Sequence, residues 1–194
     1  MPHKTKAGYG KLKGNKFQWK IAKLLSLWWT ENKRDDVFIP TGSSGARATN
    51  RFKKGKKTLN QDADITSVDL DGFLFIKTFS IEVKFYKKFS LNHLIYKNKD
   101  DLYNWWLQAS GDAERDNKHP LLILKQNKLP EIIIFEYLLY DSHFYDSFGK
   151  IDNKKHIKGL INNVSIIILL LSDFLDYANP TTMKVSPWFT EKQQ

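Results

Sequence analysis

Residues 80–88 read SIEVKFYKK, and the alternation of apolar with polar or charged side chains in this stretch predicts a β-strand. Successive side chains of a strand point to opposite faces, so Val83 and Phe85 share one face while Glu82 and Lys84 share the other. Buried charges are costly unless they are paired or bind a ligand. The stretch therefore predicts a strand that packs into a core on one side and holds a charged pair on the other.

The composition indicates a folded, basic protein. The chain has 194 residues, of which 41% are hydrophobic, enough for one domain with a substantial core. Its 31 Lys and Arg residues against 21 Asp and Glu residues give a formal net charge of +10. This excess favours a polyanionic partner, first of all nucleic acid, with a generally basic soluble surface as the alternative. The absence of cysteine excludes disulfides and thiolate zinc sites.

The sequence indicates neither a secretion signal nor a membrane span. Residues 1–14 are basic and lack an apolar segment. The longest apolar run, IIILLL at 166–171, is far shorter than the roughly 18 residues of a spanning helix. The stretch GSSGARATN at 42–50 lacks the Gly-Lys-Ser/Thr ending of a nucleotide-binding loop. We expect a soluble, cytoplasmic protein with no membrane partner and no nucleotide cofactor.

Apolar periodicity and turn residues predict alternating helices and strands. The predicted elements are a helix from Phe17, a strand at 36–40, a basic loop at 41–61, a three-stranded meander at 63–86 with a turn at Asp71-Gly72, a helix at 97–117, two strands at 120–140, a strand at 163–171, and a short helix capped by Ser172 and ended by Pro180. This order predicts an α/β fold with a central mixed β-sheet flanked by helices.

The same pattern predicts three segments along the chain. Residues 1–15 are rich in Gly and Lys and predict a flexible basic arm. Residues 16–178 form a single domain, and residues 179–194 form a C-terminal tail.

Three polar residues on the central strands form a candidate active site. Asp64 starts a strand that we expect to neighbour the strand with Glu82 and Lys84. Two converging carboxylates supply the oxygen ligands that Mg²⁺ prefers. Lys84 can orient an attacking water and stabilise charge on a phosphate. Asp62 is an alternative to Asp64, and a structural ion pair on a solvent-facing sheet surface is the alternative for Glu82 and Lys84.

An Asp followed at a distance by Glu-x-Lys on an apolar strand resembles the PD-(D/E)XK nuclease superfamily. The matching elements are Asp64-Ile65 and Ile81-Glu82-Val83-Lys84, and the predicted elements from about residue 12 to about residue 138 follow the order αβββαβ of its restriction-endonuclease-like core. Within that superfamily, the chain is most similar to Holliday junction resolvases and related phage-type endonucleases.

This resemblance implies an endodeoxyribonuclease that acts as a homodimer on duplex or branched DNA in recombination. It implies Mg²⁺ as the cofactor, with Mn²⁺ able to substitute, and adds the carbonyl of Val83 to the metal ligands Asp64 and Glu82. Many relatives carry a metal-binding glutamate on the first helix, where this chain has Gln18. Gln108, on the second helix, resembles a glutamine or lysine that contacts water or phosphate in relatives. For both glutamines, a surface or helix-flank amide is the alternative.

The basic loop supplies eight candidate DNA contacts. Lys and Arg side chains bind phosphates without regard to base sequence, in a salt-sensitive way. Ser-Gly stretches let backbone N–H groups approach a phosphate. The candidates are Ser43, Ser44, Arg47, Arg51, Lys53, Lys54, Lys56 and Lys57. A solvated charged loop is the alternative.

The function that these features favour is a metal-dependent DNA endonuclease selective for DNA structure. A sequence-specific restriction-type endonuclease of the same fold is a close variant. Gln18 in place of a glutamate motivates a second class, a non-catalytic DNA-binding protein on a decayed nuclease fold. An RNA-binding protein is the third alternative.

Overall fold

The computed structural model of the chain describes residues 9–42, 63–91, 101–139 and 156–186. The helices are α1 (Tyr9–Trp29), α2 (Leu70–Thr78), α3 (Asp101–Arg115), the single turn α4 (Tyr137–Leu139), α5 (Leu171–Tyr177) and α6 (Pro180–Val185). The strands are β1 (Phe38–Pro40), β2 (Ile65–Ser67), β3 (Phe79–Tyr86), β4 (His119–Gln126), β5 (Ile132–Glu136), β6 (Ile157–Ile161) and β7 (Val164–Leu170). The predicted α/β class is confirmed.

Five strands form a mixed sheet in the order β3-β4-β5-β7-β6. β3 and β4 are parallel, with Glu82 opposite Leu122, and the other neighbours are antiparallel. A parallel pair needs a long crossover, which the segment containing α3 provides. β1 and β2 form a separate antiparallel pair. This pair reaches the outer side of β3 where the N–H of Asp64 donates to the C=O of Ile81 over 2.9 Å.

Helices cover both faces of the sheet, which explains why β4 is apolar at consecutive positions. On one face, α1 packs through Phe17 and Ile21 into the cluster that contains Val83. On the other face, α3 packs through Trp106 into the cluster that contains Leu122. Within the part of the chain that the structure describes, no helix has both the length and the apolar character needed to cross a membrane.

The prediction of a flexible arm is wrong for residues 9–15, because α1 begins at Tyr9. Contacts of Lys13 with the end of the sheet hold these first turns in place. Its ammonium donates to the side chain of Asn127 and lies 3.7 Å from the ring centroid of Phe85. These contacts join residues far apart in sequence, so local composition did not reveal them.

The prediction of a tail from residue 179 is wrong for residues 179–186. Asn179 caps α6 by accepting hydrogen bonds from two backbone N–H groups of its first turn. Met183 is fully buried, and the ammonium of Lys184 donates to the C=O of Trp29 over 2.8 Å. A cation at this position also complements the negative end of the α1 dipole. The segment is therefore part of the domain.

The prediction of a middle strand in the meander is wrong, because residues 70–78 form the helix α2. Asp69 caps this helix, its carboxylate accepting from the N–H of Asp71 over 2.9 Å. Gly72 does not serve a turn. A Cβ at Gly72 would lie 2.4 Å from Ser67 Oγ and 2.7 Å from an atom of Phe38, so glycine here permits close packing of α2 on the β1–β2 pair.

The prediction that Ser172 caps the following helix, and that Pro180 ends it, is also wrong. The cap residue of α5 is Leu170, which makes no side-chain cap hydrogen bond. Instead, the N–H of Leu171 donates to the backbone C=O of Glu131 over 2.9 Å. The helix ends at Tyr177, and Pro180 opens α6, where its missing N–H costs nothing.

Candidate active site

Three hydrogen bonds hold Asp64, two of them to the outer side of β3. Its N–H donates to the C=O of Ile81, and its C=O accepts from the N–H of Thr41, each over 2.9 Å. Its carboxylate oxygen Oδ2 accepts from the N–H of Val83 over 3.0 Å. These bonds hold the Asp64 carboxylate beside the strand that carries Glu82.

The carbonyl of Val83 faces the same edge of the sheet as the Asp64 carboxylate. In a β-strand, the N–H and C=O groups of one residue point to the same side. Because the Val83 N–H donates to Asp64, the Val83 C=O also points toward this edge. An acidic side chain and a backbone carbonyl therefore lie together along the outer side of β3.

Glu82 and Lys84 form an ion pair on the sheet face that α3 covers. The Lys84 ammonium donates to Oε1 of Glu82, and the Glu82 side chain is only 5% exposed. A solvent-facing pair, the alternative offered by the sequence, is therefore wrong. Removing charges from water costs several kcal/mol per ion. A fold that retains such a pair beside a second carboxylate marks a candidate functional site.

Gln108 connects α3 to this pair. Its Nε2 donates to Oε1 of Glu82 over 3.0 Å, and its side chain is also hydrogen-bonded to the side chain of Asp112, one turn along the helix. Gln108 thus links the Glu82 carboxylate to α3.

The protonation of the pair reflects its burial and its charged neighbours. Burial and then the charge of Asp64 raise the pKa of Glu82 to about 7, despite the opposing effect of Lys84. Burial acts to lower the pKa of Lys84, but the Glu82 and Asp64 carboxylates outweigh it and raise that pKa above its ordinary value. Lys84 therefore remains an ammonium at neutral pH.

The donor set fits a hard divalent cation. Asp64, Glu82 and the Val83 carbonyl offer only oxygen, and the two carboxylates repel each other, which a cation between them would relieve. Among the described residues, no three His, Cys, Asp or Glu side chains are grouped to hold a metal. Mg²⁺ commonly binds through one or two carboxylates while water and substrate phosphate complete its shell, so two carboxylates suffice.

Nearly the whole chain matches one family of nucleases. Residues 9–184 match the family model described as "Phage putative PDDEXK endonuclease". The chain belongs to this family. Its membership confirms the predicted PD-(D/E)XK superfamily and extends the resemblance to α6. No curated protein and no solved structure matches the chain significantly.

Five of the predicted site residues lie together. They share one short stretch of β3, the segment that precedes β2, and the facing side of α3. These residues are Asp64, Glu82, Val83, Lys84 and Gln108. Their roles in catalysis and metal binding stay predictions.

Gln18 is the remaining predicted site residue on a described helix. It is half-buried on α1, and α1 packs on the opposite face of the sheet, in the cluster that contains Val83. Within the described residues, no hydrogen bond joins Gln18 to Glu82 or Lys84. The role of Gln18 as a replacement for a metal-binding glutamate stays a prediction.

The predicted DNA contacts, Ser43 to Lys57, and the alternative ligand Asp62 lie outside the described residues. The two ends of that segment are described. The N–H of Thr41 donates to the C=O of Asp64, so the basic segment leaves and rejoins the described structure beside Asp64.

Asp112 is a neighbour of the site that the sequence analysis missed. Its side chain is 15% exposed and pairs with Arg115. Burial raises the pKa of Asp112, and contacts with Arg115 and Gln108 only partly offset this. Asp112 follows Gln108 by four positions, which places both on one face of a helix. That spacing was the available signal.

Proposed function

We propose that this protein is an endonuclease that hydrolyses DNA phosphodiesters with Mg²⁺ and prefers branched DNA such as four-way junctions. The observation that carries the proposal is the convergence of Asp64, Glu82 and Lys84 beside one edge of β3. The family supplies the endonuclease class. Similarity to Holliday junction resolvases supports the preference for branched DNA.

Asp64, Glu82 and the Val83 carbonyl would hold Mg²⁺ or Mn²⁺ in this proposal. When bound, the metal would polarise the phosphate and favour ionisation of a bound water. The protein's contribution is a preorganised set of oxygen donors. The Val83 N–H holds the Asp64 carboxylate over 3.0 Å, and Gln108 holds the Glu82 carboxylate over 3.0 Å.

Lys84 would act as a fixed cation at the reacting phosphate. Its ammonium stabilises negative charge that develops on the phosphate oxygens and orients the attacking water. The ion pair with Glu82 determines where the ammonium lies. Because its pKa is raised, Lys84 would serve as a positive charge and a hydrogen-bond donor rather than as a base.

The basic segment would bind the DNA backbone beside the site. Residues 43–57 contain two Arg and four Lys residues and no acidic residue. Since the segment leaves and rejoins the structure at Thr41 and Asp64, its phosphate contacts would lie close to the cleaved bond. A homodimer would supply one such site for each of the two cuts that resolve a junction.

A labelled panel of duplex, single-stranded, flap and four-way junction DNA tests this function. In Mg²⁺ or Mn²⁺ we expect the junction to be cut fastest, and in EDTA we expect no cleavage. Fragments that end at one base sequence in every duplex would instead indicate a restriction-type enzyme. Binding without cleavage in either metal would contradict the nuclease, and preferential binding of RNA in competition would contradict DNA as the substrate.

A further inference from the structure

Six lysines lie around the carboxyl ends of β3 and β4 and along the adjoining side of α1. We call them the lysine rim. Five of them are exposed and one is half-buried. They are Lys13, Lys16, Lys20, Lys87, Lys88 and Lys128.

Described contacts make the lysine rim one continuous surface. The Lys13 ammonium donates to the side chain of Asn127 and lies over the ring of Phe85. The N–H of Asn127 donates to the C=O of Tyr86 over 3.3 Å. The start of α1, the end of β3 and the turn after β4 therefore meet, and Lys87 and Lys128 directly follow the residues that meet.

Within the described part of the chain, acidic residues near the lysine rim do not balance its positive charge. A groove of about 360 Å³ between α1 and the strand ends is lined by four lysines and by one acidic residue, Glu131. Glu131 pairs with Lys20 over 2.6 Å and with Lys125 over 3.1 Å. On other surfaces, Lys23 pairs with Asp35 over 2.6 Å and Lys33 pairs with Glu31 over 3.2 Å. The surplus charge of the rim is thus a local feature.

The spacing of the lysine rim suits a nucleic acid that passes the carboxyl end of β3, the strand that carries the candidate active site. Lys87 follows Lys84 by three residues, which is about 10 Å along a strand. Lys13, Lys16 and Lys20 lie on one side of α1 and span about 10 Å along the helix. Duplex DNA carries one charge per roughly 1.7 Å of its axis, so several phosphates could meet these lysines at once.

We propose that the lysine rim binds the phosphate backbone of duplex DNA outside the cleavage point. The inference rests on the proposed function, because Lys87 of the rim lies three residues beyond Lys84 in the sequence and the positive charge of the rim suits the phosphates of the substrate DNA. The contacts would be independent of base sequence and would supply affinity rather than chemistry.

The test compares two triple variants of the full chain. The rim variant is Lys16→Gln, Lys87→Gln and Lys128→Gln, at exposed lysines for which no ion pair is found within the described residues. The matched control is Lys23→Gln, Lys33→Gln and Lys158→Gln, which removes the same charge from other surfaces. Duplex DNA affinity is measured in EDTA over a series of salt concentrations, and thermal unfolding verifies that both variants fold.

The slope of log affinity against log salt should be about 2 to 3 units shallower in the rim variant than in wild type, because each lost phosphate contact removes about 0.9. We expect its affinity at moderate salt to fall about tenfold and the control to bind like wild type. The single change Lys16→Gln should reduce the slope by about 0.9.

A rim variant with the slope of the control would overturn the rim proposal. Metal-dependent cleavage by wild type, measured in parallel, separates this result from failure of the proposed function. If wild type cleaves DNA but the rim variant keeps the slope of the control, only the rim proposal fails. If wild type neither binds nor cuts DNA, the rim proposal and the proposed function both fail. A rim variant that loses affinity for duplex RNA but not for duplex DNA would show that DNA is the wrong occupant.

Discussion

The backbone N–H of Val83 donates to the carboxylate of Asp64 over 3.0 Å. This bond joins the segment before β2 to β3 and places the Asp64 carboxylate one residue away from Glu82 along the strand. Backbone atoms form half of the contact, so the position of Asp64 depends on the fold rather than on a flexible partner. The arrangement resembles a preformed ligand set more than a surface ion pair.

Asp64→Asn should separate charge from geometry at this site. The amide oxygen of Asn can still accept from the Val83 N–H, so the fold should be retained. The lost charge should weaken metal binding and lower the cleavage rate by about 100-fold or more. Single-turnover cleavage in Mg²⁺ measures this effect, and Glu114→Gln, at an exposed position of α3, is the control. If Asp64→Asn cleaved DNA at the rate of the control, Asp64 would not be a ligand of the catalytic metal.

Gln108→Ala should reduce cleavage by about tenfold, because it frees the Glu82 carboxylate from its helix partner. Asp112→Asn should have a smaller effect in the same direction if Asp112 acts by fixing the amide of Gln108. The two changes should then not add, and the double variant should cleave like Gln108→Ala. Additive losses in this double-mutant cycle would show that Asp112 acts independently of Gln108.

Gly72→Ala should destabilise the fold. The new Cβ would lie 2.4 Å from Ser67 Oγ and 2.7 Å from Val37 Cγ1, and overpacking of this kind costs about 1–3 kcal/mol. Gly111→Ala is the matched control, since a Cβ there meets nothing within 4 Å and should stabilise α3 by about 0.5–1 kcal/mol. Thermal unfolding measures both changes. Equal effects would show that Gly72 is not required for packing.

Glu131 should make stability depend on acid pH. Partial burial acts to raise the pKa of Glu131, but hydrogen bonds, first from Lys20, lower it from 4.5 to about 2. The unfolded chain then binds more protons, so the free energy of unfolding should fall as pH drops from about 4.5 toward 2. At neutral pH the contribution is about 1 kcal/mol after solvent screening.

Chemical denaturation at neutral and acid pH checks this dependence. Glu131→Gln should be less stable than wild type at neutral pH and should approach it in acid. Glu114→Gln, at an exposed position, should follow wild type throughout. If Glu131→Gln lost stability in acid as steeply as wild type, Glu131 would not be the responsible group.

The strand features of the site were predictable because they depend on local alternation. The two faces of β3 follow from its residue order, and the structure places Val83 in the α1 cluster and Glu82 in contact with α3. The proximity of Asp64 followed from the order of the elements. None of these inferences needed a contact between residues distant in sequence.

The remaining features depend on such distant contacts. Asp71-Gly72 indicates a turn in isolation, and only the approach of Phe38 shows that Gly72 serves packing. The tail prediction failed because Lys184 is held by the C=O of Trp29, 155 positions away. Asp112 was missed because the sequence does not show which face of α3 meets the charged pair.

Cleavage by Lys84→Met, compared with wild type, tests the assignment of the active site. Methionine keeps the length of the side chain and removes the ammonium, while Lys77→Met removes a lysine from α2 as the control. With a four-way junction in Mg²⁺, Lys84→Met should lose about 100-fold or more of the cleavage rate and retain DNA binding. If Lys84→Met folds and cuts at the rate of Lys77→Met, the Glu82–Lys84 pair is structural and the active site lies elsewhere.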